Sequence, residues 1–206
     1  MSTLLVIDTS PSRGAVSRRL TQRFVAEWTE SNPGGTVLRQ DVGTNAPDQL
    51  NDELIEALRR NPESVNEYQS KALAASDAMI DEIVRADMIV IGAPMHNFTI
   101  TGPFRTWLDH VARPGKTFGF NETGAFGLLE DKPVYVLSTR GGDYGNGDPS
   151  EPHPADFQSN YMRHIFGFMG LRSLSIIAAN GLDMGDEPRA AGIDEAEHKI
   201  RAIFAD

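Results

Sequence analysis

Three stretches of this 206-residue chain concentrate its chemistry. The first, residues 10–17, carries Ser10, Ser12 and Ser17 just ahead of an amphipathic run, where free backbone N–H groups and hydroxyls suit a phosphate. The second, Pro94-Met95-His96-Asn97-Phe98, follows a β-branched run and offers backbone donors, an amide, an imidazole and an aromatic face. The third, Ser138-Thr139-Arg140-Gly141-Gly142, supplies glycine N–H groups that can approach a planar ligand without Cβ obstruction, beside the cation of Arg140. Taken singly, each is an ordinary strand-to-helix connection, and the serines are turn and capping residues.

Their value depends on the elements that position them. Leu4 to Ile7, Met88 to Ile91 and Val134 to Ser138 are short apolar runs that read as buried strands. Thr36 to Val42 alternates and reads as a further strand, and Ser173 to Ala178 as the fifth. Pro94 closes the third strand, since it has no N–H to give a ladder. Helical spacing appears at Leu20, Phe24, Val25 and Trp28, with Ser17 at its N-cap or first turn. It recurs over Leu50 to Arg60, interrupted at Asn61-Pro62, and from about Ser64 through Ile80 and Ile83. It appears again at Phe104, Trp107, Leu108 and Val111, from Phe157 to Met169, and from Glu187 to Phe204. Residues 116–129, rich in Gly and Phe, read as an irregular hairpin or flap.

Strands alternating with helices imply parallel pairing and right-handed crossovers. The expected fold is α/β: one flavodoxin-like doubly wound domain over residues 1–206, with five parallel strands in the order 2-1-3-4-5 and helices on both faces. Ligands of such sheets bind at the carboxyl ends of the strands, where the order reverses. The loops after strands one, three and four then converge, and they are the three stretches above. A phosphate donor set, a stacking surface and an amide-rich edge together suit flavin mononucleotide (FMN). Donors at the pyrimidine side of its ring would stabilise negative charge on the reduced flavin.

Composition removes competing readings. The chain has no cysteine, which excludes disulfides, thiolate nucleophiles and thiolate metal sites. Its five histidines lack zinc-enzyme spacing, and no metal is expected. His110, beside Asp109, reads as a solvated or interface residue. No Gly-x-Ser-x-Gly elbow, P-loop or Gly-x-Gly-x-x-Gly fingerprint is present. A formal charge of −10 disfavours nucleic acid and anionic membranes as partners. The N-terminus has no basic, apolar leader pattern, so a cytoplasmic protein is expected.

The same residues carry a family likeness. Pro94-Met95-His96-Asn97-Phe98 resembles the Pro-Met-Tyr/Trp-Asn-Phe flavin loop of the FMN-dependent NADH:azoreductase and quinone reductase family. Trp107 to Arg113, Gly115 to Phe118, Ser138 to Gly142 and Phe166-Gly167-Phe168-Met169-Gly170 are similar to further runs of that family. The likeness implies an oxidoreductase with FMN held at its phosphate by Ser10 and the Val16-Ser17-Arg18 turn. Met95, His96, Asn97 and Phe98 would line one side of the ring, and Thr139, Arg140, Gly141 and Gly142 its other edge. It also implies a homodimer with the site at the interface, and a ping-pong cycle in which NADH or NADPH reduces quinones and azo compounds. Phe98, Phe118 and Phe120 are candidate walls for planar substrates. The flavin carries the chemistry, so no protein group is assigned as catalytic. His96 stands where relatives carry an aromatic ring, and Thr101-Gly102 delays a proline that usually follows sooner. A noncatalytic electron-carrier flavodoxin is the alternative on the same fold.

Overall fold

The computed structural model describes residues 2–60 and 62–205. In chain order it contains β1 (Thr3–Asp8), α1 (Val16–Ser31), β2 (Thr36–Asp41), α2 (Asp52–Ile55), α3 (Glu67–Arg85) and β3 (Met88–Pro94). These are followed by α4 (Gly102–Val111), β4 (Phe118–Asn121), β5 (Gly124–Gly127), β6 (Val134–Thr139), α5 (Phe157–Met169), β7 (Leu174–Ala179) and α6 (Asp186–Phe204). A π-helical turn, Glu56–Arg60, extends α2. Asn61, half of the expected break after it, lies outside the described residues.

Five parallel strands pair in the order β2-β1-β3-β6-β7, and β4 and β5 form a separate antiparallel hairpin. With that hairpin set aside, this is the expected 2-1-3-4-5 order. Successive strand residues face opposite sides, so a run such as Leu4 to Ile7 serves two cores at once. Leu5, Ile7, Ile89, Ile91 and Val136 pack with Phe104, Trp107 and Phe166 on the α3–α4–α5 side. Leu4, Val6, Val90 and Leu137 pack with Leu20, Phe24 and Trp28 of α1 and Ile193 and Ile200 of α6 on the other. Burial on both faces is why these strands read as unbroken apolar runs. β2 lies at the sheet edge and is largely uncovered, which accounts for its alternation.

Local signals fix several boundaries. Asn66 and Gln69 form a reciprocal capping box that starts α3 at Glu67. The helix thus begins at Glu67 rather than near Ser64, because residues before a cap cannot hold helical backbone. Trp107 is fully buried, yet its indole N–H donates to Gln40 Oε1 at 2.6 Å, so α4 is locked to β2 without an unsatisfied donor.

Candidate active site

Because β1, β3 and β6 are adjacent and parallel, their carboxyl ends share one edge of the sheet. Two contacts tie the loops there into one rim. The Thr101 hydroxyl donates to the Thr9 carbonyl at 2.9 Å, and the Met95 N–H donates to the Thr139 carbonyl at 2.8 Å. Thr101 also caps α4, with Pro103 in the first helical turn. The late proline is therefore a helix start, where its missing N–H costs nothing.

At the first loop, Ser10 is buried and its Oγ accepts the Ser12 N–H at 3.2 Å. Ser17 lies inside the first turn of α1 and is fully buried, but its hydroxyl has no partner among the described residues. Ala15, at the N-cap of α1, provides no side-chain cap, and the first turn of the helix carries no acid. A helix of this length begun without a cap leaves N–H groups and positive dipole exposed to any anion. A buried orphan hydroxyl at the same point makes the loop a fit for a phosphate.

Arg18 does not point its charge into this opening. Its guanidinium donates to the Ser10 carbonyl at 2.8 Å, the Ser12 carbonyl at 3.1 Å and both Asp41 oxygens. It thereby staples the loop to the end of β2. The Arg18 pair holds the Asp41 carboxyl below the ordinary carboxylate range. Asp8 behaves oppositely: burial pushes its carboxyl up, against the Thr21 hydroxyl that donates to it and the Arg18 charge.

The second loop is a tight reverse turn. His96 and Thr99 exchange backbone hydrogen bonds of 2.9 and 3.0 Å. The two central residues, Asn97 at φ 46° and Phe98 at φ 70°, both hold left-handed backbone. Asparagine tolerates that region, but a phenylalanine there is strained by about 1–3 kcal/mol. Such strain persists where the surroundings fix it, and it presents exposed His96, Asn97 and Phe98 side chains at the rim.

The third loop is organised by Arg140, whose side chain is wholly buried. It donates to Ser138 Oγ (2.8 Å), Ser159 Oγ (2.8 Å) and the Tyr144 and Gly145 carbonyls, and pairs with Asp156 at 3.0 Å. Burial pulls its pKa down while Asp156 pulls it up. The expected rim cation is thus an internal strut, and what the loop presents is backbone. The Gly141 and Gly142 carbonyls accept from Asp183 and Gly181, which anchors this edge to the segment after β7.

The structure does not bring Phe118 and Phe120 to this rim. Phe118 is buried and packs on Phe168, 4.6 Å between centroids, near the end of α5. Since α5 is N-capped by Asp156 beside Arg140 and runs back along the sheet, its end lies at the opposite edge. Phe120, 70% exposed, projects from the hairpin there. His110 is also not solvated: it is 1% exposed, its Nε2 lies 2.8 Å from the Asp48 carbonyl, and burial lowers its pKa. The shared interior of α3, α4 and the loop after β2 hides it, which helical spacing alone does not convey. Thr9, Thr101, Gly43 and Asp156 also shape the site; of these only Thr101, a threonine two residues before a proline, carries a recognisable capping signal in the sequence.

The chain matches the family model described as "Flavodoxin-like fold" over residues 2–204. It is 39% identical over 202 residues to an FMN-dependent NADH:quinone oxidoreductase of Azospirillum brasilense, covering 97% of this chain and 96% of that one. It is 36% identical over 204 residues to FMN-dependent NADH:quinone oxidoreductase 2 of Pseudomonas fluorescens (strain Pf0-1), covering 98% and 100%. Among solved structures, an azoreductase from Bacillus anthracis str. Sterne superposes with a TM-score of 0.81 at 27% identity, covering 98% of this chain and 100% of that one.

Proposed function

Because the chain belongs to the flavodoxin-like family, among the FMN-dependent NADH:quinone oxidoreductases, we propose that its three-loop rim holds FMN and that it passes electrons from NADH to quinones and azo compounds. The observation that carries this reading is the buried Ser17 hydroxyl, without a partner among the described residues, at the uncapped start of α1. Ser10, Ser17 and the Val16 N–H would hold the phosphate, with Arg18 fixing the loop from behind. Met95, His96, Asn97 and Phe98 would line one side of the ring, and the backbone of Thr139, Arg140, Gly141 and Gly142 its other edge.

When bound, FMN supplies two-electron chemistry, so that NADH, a quinone and a proton become NAD⁺ and a hydroquinone. The protein's part is to position the ring and leave one face open. Glycine N–H groups near the ring edge would favour its reduced, more negative form. A single open face suits donor and acceptor in turn, hence a ping-pong cycle. NADPH would serve through the same face, with preference set by contacts outside the rim.

The Phe120 hairpin lies at the opposite sheet edge from its own rim. Its exposed Phe120, Phe126 and Leu128 suit contact with a second copy, which supports a homodimer whose interface completes the site. Among the described residues no helix is long and apolar enough to cross a membrane. The proposal includes a cytoplasmic enzyme built as one domain over the whole chain and acting on diffusible acceptors, its formal charge of −10 disfavouring nucleic acid and anionic membranes as partners.

Initial rates test the cycle. With NADH varied at several fixed concentrations of a benzoquinone, double-reciprocal plots should be parallel, and turnover should proceed without any added reductase protein. Intersecting lines would contradict the ping-pong order. Dependence on a separate reductase would instead indicate an electron carrier. The same assay with NADPH ranks the two donors.

A further inference from the structure

The loops after β3 and β6 touch through one side chain that neither the motifs nor the relatives' names assign: Tyr144. Its ring meets Phe98 edge-on, 5.9 Å between centroids at 87°. It also lies across Gly142, where an added Cβ would fall 3.2 to 3.3 Å from three Tyr144 atoms. On its far side it meets His153 edge-on at 5.5 Å. Its carbonyl is held by the buried Arg140 guanidinium at 3.2 Å. Tyr144 therefore joins the strained Phe98 turn to the Gly141–Gly142 edge and is itself fixed from below.

We propose that Tyr144 is a positioning residue that presets the gap between the two walls of the FMN site. This rests on the reading of the rim as a flavin site. Phe98 is half-exposed and left-handed, so little else restrains its ring once the turn is made. An aromatic neighbour packed edge-to-face restrains it before any ligand arrives, and preorganisation of that kind lowers the ordering cost of binding. The aromatic ring, not the hydroxyl, makes the contact with Phe98, while ring carbons and the hydroxyl oxygen both lie against Gly142. Tyr144 thus acts through Phe98, and its effect should vanish when Phe98 is removed.

The test is FMN titration of apoprotein, followed by quenching of flavin fluorescence, for the wild type, Y144A, Y144F, F98A and the Y144A/F98A double variant. Y144A should weaken FMN by about five- to tenfold, the scale of an aromatic contact and a released turn. Y144F should stay within about twofold of wild type, and Y144A should add less than about twofold in the F98A background, as for two residues acting as one unit. The thermal midpoint of Y144A apoprotein should match wild type, because the tyrosine is only partly buried. Should Y144A fail to fold, Y144L carries the same comparison. Wild-type affinity in Y144A, equal losses in both backgrounds, or a Y144F as weak as Y144A would each overturn the assignment. A wild-type apoprotein that takes up no FMN would instead overturn the flavin reading beneath it.

Discussion

Arg140→Met should destabilise the protein by about 3–5 kcal/mol, the cost of leaving a buried charge without its partner. The substitution deletes the donors to two serine hydroxyls and two carbonyls, and it strands the Asp156 carboxylate, which is 4% exposed. Asp156 also caps α5 through the Ser159 N–H at 2.9 Å, so its desolvated charge cannot simply swing out to water. Urea unfolding should show the midpoint fall with little change in slope. Adding Asp156→Asn should restore part of the loss, since the amide still accepts at the cap and no buried charge remains. If Arg140→Met alone unfolds at the wild-type midpoint, Arg140 is not the strut described. A variant that keeps its stability but loses flavin would return the guanidinium to the rim.

Gly43→Ala should be the most damaging single methyl addition near the phosphate loop. A Cβ at Gly43 would stand 1.9 Å from the Ser10 carbonyl oxygen and 2.3 Å from its carbon. These are backbone atoms held on the far side by Arg18, and the Gly43 N–H is itself bonded to the Asp8 carbonyl at 2.9 Å. Neither chain can yield without moving Ser10. Overpacking of this sort costs about 1–3 kcal/mol or more. If it falls on the phosphate loop, FMN affinity drops by on the order of ten- to a hundredfold at 1.4 kcal/mol per decade. Gly167→Ala in α5, where a Cβ meets nothing within 4 Å, is the control and should leave flavin affinity as it was. Equal flavin affinity in Gly43→Ala and wild type would show that Ser10 is not held as argued.

The fold was legible because its signals are local and repeated. Buried parallel strands must be apolar on both faces, and helical spacing between them demands crossovers. The convergence of the three loops followed from strand order alone. What stayed hidden was which way polar side chains turn. Arg18, in the first turn of α1, and Arg140, in the loop after β6, both sit beside stretches that suit an anion; the family resemblance placed Arg18 in the site, and its loop placed Arg140 there. The structure turns both inward, because Asp41, Asp156 and several carbonyls offer fixed acceptors that a solvated rim does not. Asp41 and Asp156 lie 23 and 16 residues from the arginines they hold, beyond the reach of any periodicity. His110 failed for the same reason: its partner is the carbonyl of Asp48, 62 positions away. The strain at Phe98 has no sequence signature at all, since phenylalanine is a poor residue for left-handed backbone.

The same logic separates holding the cofactor from shaping its site. At the start of α1, the groups without a partner among the described residues, Ser17 Oγ and the first N–H groups of the helix, are those left for a phosphate. Groups already engaged within the protein, the Arg18 and Arg140 guanidinium groups and the Thr9 and Thr101 hydroxyls, set the rim's geometry.

If this rim binds FMN and passes electrons from NADH to a quinone, flavin absorption reports each step. The most direct measurement is the visible spectrum of apoprotein titrated anaerobically with FMN, then with NADH, then with a benzoquinone. Flavin electron transfer at this rim requires uptake of one FMN per chain, loss of the oxidised-flavin absorption on adding NADH, and its full return on adding quinone. Protein that stays colourless at saturating FMN, or bound flavin that NADH does not bleach, would contradict it.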